Sequence, residues 1–279
     1  MQKILVPTDF SHTSAYGSSL AAKIASFLKA EIHFLHVINL PSHILLTEDG
    51  NLFEDGDFDT SIPKEKLKAA QEKMPSWQAT YAPLAKTDCV FGHVNESVLN
   101  YAKNHSIDLI IMGTHTVSGA PELFNHTHGE YIAMHSSAPV MTLKCDRSDM
   151  EVKSIVIASS FKTDDIPDVA MALALQKALD AKLYLLRINT PNDFMADGKV
   201  LNNMSAFVNN NDLHNVEMAI YNNENVEDGI VSYVAKENID IICIGSWQRT
   251  GLNKLINGCV SADLVNHAYK PILTFKLKK

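Results

Sequence analysis

The sequence predicts an α/β protein built from two copies of one strand–helix unit. Three observations predict it. Short apolar runs alternate with segments of helical periodicity. The order of these segments recurs along the chain. The matching residues of the two copies also fall at constant offsets. Ile4-Leu5-Val6 returns as Ile155-Val156-Ile157, and Ala30 to Val37 returns as Ala181 to Ile188, both 151 residues on. Ile107-Asp108-Leu109-Ile110-Ile111-Met112-Gly113 returns as Ile239-Asp240-Ile241-Ile242-Cys243-Ile244-Gly245, with His135 answering to His267 and Pro139-Val140 to Pro271-Ile272, all 132 residues on. The step between the two offsets places about 19 extra residues in the first copy, between its second strand and the Ile107 region.

Each element has a local reason. Residues 3–7 form a short apolar run of the kind a strand buried on both faces needs. Ser11 to Ser14 offer capping hydroxyls to a helix carrying Leu20, Ala21, Ile24, Ala25 and Leu28 at helical spacing. Strands are expected at 31–38 and 88–91. Asn95 is expected to cap a helix bearing Val98, Leu99 and Ala102. A strand at 108–112, a helix at 127–136 and a strand at 139–144 complete the copy. The second copy reads alike, with a strand at 154–158, a helix at 166–180 and a final strand at 271–277. The extra length is placed within residues 40–75, an acidic, turn-rich stretch read as a surface loop. Asp55, Asp57 and Asp59 give it a faint calcium-loop spacing, but Thr60 and Lys66 stand where the turn glycine and the bidentate Glu belong. The polar run Asp146-Arg147-Ser148-Asp149 joins the copies. It is short enough that docked halves are expected, with domains at 1–146 and 153–279.

Composition narrows function. A formal net charge of -8 over 279 residues counts against a general nucleic-acid or anionic-membrane surface. No apolar run approaches the roughly 20 residues that span a bilayer. No signal peptide is expected, because Asp9 follows the first apolar run at once. The four cysteines, Cys89, Cys145, Cys243 and Cys259, form no CxxC pair, so a reducing cytoplasm is the expected compartment.

The run Lys3-Ile4-Leu5-Val6-Pro7-Thr8-Asp9-Phe10-Ser11, then Phe34-Leu35-His36-Val37, then Asp108 to His115, resembles the universal stress protein family in its tandem two-domain form. Glu130 through His135 to Pro139-Val140 continues the resemblance, as do Gly245-Ser246, Gly258-Cys259-Val260-Ser261, His267 and Pro271 in the second copy. The resemblance implies an adenine nucleotide alpha hydrolase-like fold: two open parallel five-stranded sheets of strand order 3-2-1-4-5, docked as a pseudo-dimer through their last strands. It also implies a site for ATP or another adenine nucleotide, with Mg accompanying it. The strand-end Asp and backbone groups ending the second strand would hold the adenosine. A loop of Gly, two residues, Gly, nine residues, Gly and then Ser or Thr would hold the phosphates.

Both copies depart from that loop. The first keeps Asp9 and Gly113 but has Thr116 and His126 at the later Gly positions, followed by Thr127. A β-carbon there crowds the backbone cradle, although His126 has a donor to offer a phosphate. The second keeps Gly245 and Gly258 but has Gln248 at the middle Gly, Cys259 at the hydroxyl and Ser160 for the Asp. The candidate binding set is therefore Pro7, Thr8, Asp9, Val37, Gly113, His115, His126 and Thr127 in the first copy, with Gly245, Gly258, Cys259 and Ser261 in the second. Neither copy is ranked above the other.

Each of these residues also has an ordinary structural role open to it. Asp9 caps, the glycines turn, Cys259 packs, and Trp77 and Trp247 fill core. His126, His128 and Glu130 could meet at a zinc ion if the segment is extended, and diverge if it is helical. No catalytic constellation stands out. The expected function is a regulatory ligand-binding module. The alternatives are a nucleotide-free scaffold acting through an unknown protein partner and a slow ATP hydrolase. A homodimer of tandem chains is left open.

Overall fold

The computed structural model describes residues 1–40, 44, 46–47, 50–53, 59–114, 127–162, 166–246 and 269–278. In the first half, strands β1 (Lys3–Pro7), β2 (Glu31–Asn39), β3 (Lys86–Gly92), β4 (Leu109–Gly113) and β5 (Val140–Leu143) alternate with helices α1 (His12–Leu28), α2 (Ser61–Tyr81), α3 (Val94–Asn104) and α4 (His128–His135). The second half has β6 (Ser154–Ala158), β7 (Ile166–Pro167), β8 (Lys182–Asn189), β9 (Val216–Asn222), β10 (Ile241–Ser246) and β11 (Ile272–Lys278), with α5 (Ala170–Leu179), α6 (Asp197–Asn210) and α7 (Val226–Lys236).

The strands form one sheet in the order β3-β2-β1-β4-β5-β11-β10-β6-β8-β9, with β7 pairing off the path onto β11. Read inward from its outer edge, each half has the expected 3-2-1-4-5 order. Pairing is parallel within each half, β7 on β11 excepted, and antiparallel where β5 meets β11, with Leu273 opposite Met141. The two sheets are thus edge-paired into one, and the pseudo-dimer closes on strand edges that would otherwise lie open. Thr274 Oγ1 donates to the Val140 carbonyl across the join at 3.1 Å. The linker is gripped from the side: Lys23 Nζ donates to the carbonyls of Ser148 and Met150 at 3.2 and 2.6 Å.

The central strands are covered on both faces, as their near-continuous apolar sequences require. Ile4, Leu5, Val6, Leu109, Ile110 and Ile111 are fully buried, and so are Ile155, Val156 and Ile157. Helix α1 lays Leu20, Ala21, Ile24 and Ala25 on one face of this sheet. Burying Leu20 and Ile24 contributes about 1.5–3 kcal/mol each. Ser11 caps α1 by accepting the Ser14 N–H at 3.2 Å, and Lys29 ends it in the left-handed region at φ 52°.

Three expectations are corrected. Asn95 does not cap α3: the helix begins at Val94 behind His93, and Asn95 Oδ1 instead meets His128 Nδ1 at 2.7 Å. The helix expected over 166–180 begins at Ala170. Pro167 disfavours helical backbone at the residue before it, so Ile166–Pro167 run extended beside β11 instead. The acidic stretch is a loop only in part, because residues 61–75 belong to the 21-residue α2. Pro63 lies in the first turn of α2, where a missing N–H costs little. Asp55 and Asp57 lie outside the described residues, while Asp59 Oδ1 accepts the Ser61 N–H at 2.9 Å. Trp77 packs as expected, its Nε1 donating to Ser18 Oγ at 3.2 Å, and Trp247 lies outside the described residues.

Candidate functional site

The chain leaves β1 through a tight turn. Thr8 N donates to the Leu35 carbonyl at 2.9 Å, extending the sheet by one bond. Thr8 Oγ1 accepts the Phe10 N–H at 3.0 Å, and Phe10 takes a left-handed φ of 62°. Asp9 Oδ1 accepts the Ser11 N–H at 3.0 Å and the Ser14 hydroxyl at 2.9 Å. Asp9 Oδ2 has no hydrogen bond among the described residues. Burial works against the charged form of this carboxyl. The hydrogen bonds from Ser11 and Ser14 outweigh that and hold its pKa below the usual carboxylate range.

This turn opens onto a cavity of about 430 Å³ at the carboxyl ends of β1 and β4, where strand order reverses. Leu35, Val37, Val94, Val98 and Met112 give it an apolar wall; Thr8, Asp9, Ser11, Ser14, Thr114 and Thr127 give it a polar one. Thr114 is 5% exposed, and its Oγ1 has no hydrogen-bond partner among the described residues. At the far side Thr127 caps α4 in a reciprocal box. Its Oγ1 accepts from Glu130 N at 3.3 Å, and its own N–H donates to Glu130 Oε2 at 2.7 Å.

Of the residues singled out in sequence, Pro7, Thr8, Asp9, Val37, Gly113 and Thr127 come together around this one cavity. Gly113 is needed by packing as well. A β-carbon built on it would fall on the Thr13 carbonyl oxygen, and one built on Gly17 would sit 2.9 Å from Gly113 N, so α1 and β4 touch backbone to backbone. His115, His126, Gly258, Cys259 and Ser261 lie outside the described residues, as do Thr116, Gln248 and His267. Gly245 lies within β10, near the end of that strand. The zinc reading needs His126. Its other two members lie in the first turn of α4 and diverge: His128 turns to Asn95, and Glu130 serves the cap. No group of three metal-ligating side chains occurs among the described residues. His135 Nδ1 donates to the Tyr131 carbonyl at 2.8 Å and its ring stacks on Tyr131 at 4.0 Å, a helix-surface role.

The turn at the equivalent end of β6 carries a side-chain network of its own, on the face where the first half has His36. The turn after β6 repeats the first in detail: Ser159 N donates to the Leu186 carbonyl at 3.1 Å, Phe161 N donates to Ser159 Oγ at 3.3 Å, and Phe161 has φ 48°. Arg187 stands where the first half has His36 and is 1% exposed. Its guanidinium donates to the Ser160 carbonyl at 2.7 Å and the Asp193 carbonyl at 2.9 Å, and pairs with Asp193 Oδ2 at 3.0 Å. Lys162 Nζ lies 2.8 Å from the other Asp193 oxygen. Asp193 is desolvated, yet Lys162 and Arg187 hold its pKa below the ordinary range. This network escaped the sequence reading. Its signal was Arg187 itself, a lone charge in the otherwise apolar run Tyr184 to Ile188.

Fold and cavity together define a tandem α/β protein with a ligand-sized recess at the switch point of its first sheet. The universal stress protein family model matches residues 1–144 and again 151–276, and the chain belongs to that family. It is similar to the universal stress protein MJ0531 of Methanocaldococcus jannaschii, 23% identical over 143 residues, covering 51% of this chain and 82% of the relative. The same organism's universal stress protein MJ0577 is 25% identical over 153 residues, covering 51% of this chain and 94% of the relative. Among solved structures, a universal stress protein from Archaeoglobus fulgidus superposes with a TM-score of 0.72 at 20% identity, covering 98% of both chains. The tandem fold is therefore shared over nearly the whole length.

Proposed function

We propose that this chain is a regulatory ligand-binding module that takes an adenine nucleotide in its first half. One observation carries the reading: Pro7, Thr8, Asp9, Val37, Gly113 and Thr127, chosen from sequence, line one cavity at the end of the sheet where open α/β folds bind ligands. Its volume lies in the range of small-molecule sites, and its division into apolar and polar walls suits a flat base joined to a polyol. Leu35, Val37, Val94, Val98 and Met112 would pack the base, with the β2 end supplying backbone hydrogen bonds. Asp9 Oδ2 would accept from a ribose hydroxyl. Thr114 Oγ1, buried without a partner among the described residues, is a polar group that a ligand would satisfy. Gly113, Thr127 and the segment carrying His115 and His126 would face the phosphates, and Mg would accompany a triphosphate. Thr116 and His126 in place of glycine make this a weaker phosphate cradle than the unbroken loop, so the nucleoside end carries more of the affinity.

A thermal-shift titration with Mg-ATP, and GTP as the control, tests the reading. At about 100 times the dissociation constant a ligand adds roughly 2.7 kcal/mol to native stability. That corresponds to a rise of several degrees in the unfolding midpoint. A saturable rise with ATP and none with GTP is expected. No rise at millimolar ATP, with no nucleotide released on denaturation, overturns the proposal and favours a scaffold acting through protein contacts.

A further inference from the structure

A second chamber adjoins the cavity on the other face of the sheet. It measures about 310 Å³ and shares Asp9 and Val37 with the first. Its remaining walls come from the β1 turn, the end of β2 and α2. Phe10 stacks on His36 with ring centroids 4.7 Å apart, and His36 Nδ1 is held by donating to the Thr8 carbonyl at 2.7 Å. Opposite them, α2 presents Lys66, Ala69, Ala70 and Lys73, spaced i, i+3, i+4 and i+7, which is one face of a helix. The alanines leave the recess open. The lysines stand two turns apart, about 10 Å along the axis, with long stems that can converge on one group. Neither lysine forms an ion pair among the described residues.

The second half closes the same place. Asn203 stands just before the buried Met204 of α6, as Lys73 stands just before the buried Met74 of α2. Asn203 Nδ2 donates to the Phe161 carbonyl at 2.8 Å, and Val200 lies buried where α2 has Ala70. The chamber and its two cations thus belong to the first half.

We infer that Lys66 and Lys73 form an anion subsite for a phosphate carried on the ribose 2′ or 3′ oxygen of the bound nucleoside. This rests on the nucleotide reading above. Asp9 is the wall common to both chambers. A ribose whose hydroxyl edge meets Asp9 directs a substituent on that edge away from the base and toward α2. The phosphate would sit at the lysine end, with Asp9 engaged by the remaining hydroxyl. Two flexible ammonium groups suit a compact dianion, which they would hold as point charges.

Isothermal titration of adenosine, adenosine 2′-phosphate, adenosine 3′-phosphate and adenosine 5′-phosphate into the full chain tests this, with Lys66→Gln/Lys73→Gln as the variant. Both side chains are exposed, and Gln keeps helix propensity, so the variant is expected to fold. At least one ribose phosphate is expected to bind on the order of tenfold tighter than adenosine. That ratio should fall to about one in the variant, and it should shrink as salt rises. Adenosine binding with no gain from either ribose phosphate overturns the subsite and leaves the nucleoside site standing. A gain that survives the variant, or an equal loss for the 5′-phosphate, also overturns it. If none of the four compounds binds, the nucleotide reading fails and the subsite fails with it.

Discussion

The turns that follow β1 and β6 have the same backbone and opposite contents. Both make the same pair of hydrogen bonds, and both place a phenylalanine at positive φ, 62° at Phe10 and 48° at Phe161. The likeness extends to Lys29 and Asp180, left-handed helix ends at φ 52° and 51°. Yet the first turn carries Asp9 and His36 beside open space. The second carries Ser160 and a buried Arg187 that ties Asp193 and two carbonyls together. The turn after β1 borders open space, and the turn after β6 holds a structural ion network.

Four experiments would break or sharpen that contrast. The largest effect is expected from Arg187→Leu. It strands the Ser160 and Asp193 carbonyls and leaves Asp193 to Lys162 alone, a loss on the order of 3–5 kcal/mol by denaturant unfolding. His36→Leu, its counterpart, removes one hydrogen bond beside open space and should cost only about 1 kcal/mol. Equal losses would mean that the two turns are built alike after all. Gly113→Ala comes next. Its β-carbon meets backbone at Thr13, so α1 must shift, at about 1–3 kcal/mol.

Acid titration reads Asp9. Its folded pKa is lowered, so its contribution to stability is complete above the ordinary carboxylate value near 4 and is lost as pH falls through the lower folded value. Affinity for adenosine, which carries no phosphate to titrate, should accordingly be flat from about pH 8 to 5. A loss of affinity within that window would contradict the Asp9 assignment. The smallest effect concerns a sign reversal at the other end of the strands. Lys86 pairs with Glu31 at 2.7 Å between β3 and β2, and Glu217 with Lys182 at 2.5 Å between β9 and β8. Lys182→Ala should move the unfolding midpoint by less than about 2 °C, since a pair this exposed contributes little.

The repeat made the fold legible. Two fixed offsets and buried runs such as Leu109 to Met112 suffice to place the central strands. That Asp9, Gly113 and Thr127 would meet at one cavity was legible because each ends a strand or opens a helix on the same edge of the sheet. Asn95 misled because a capping residue type was given more weight than the chain path, which starts α3 a residue earlier and turns Asn95 toward His128. Lys66 and Lys73 escaped because the acidic stretch hid where α2 begins. Arg187 was visible but unread, because its meaning lies in carbonyls that only the folded turn brings together.

The proposed nucleotide site lies in the first half at Asp9, beside a turn whose counterpart in the second half holds the Arg187–Asp193 network. Titration calorimetry with Mg-ATP on the wild-type chain, Asp9→Ala and Ser160→Ala tests it most directly. The account predicts one site per chain, abolished by Asp9→Ala and retained in Ser160→Ala. Two equivalent sites, or a single site that survives the loss of Asp9 and is lost with Ser160, would contradict it.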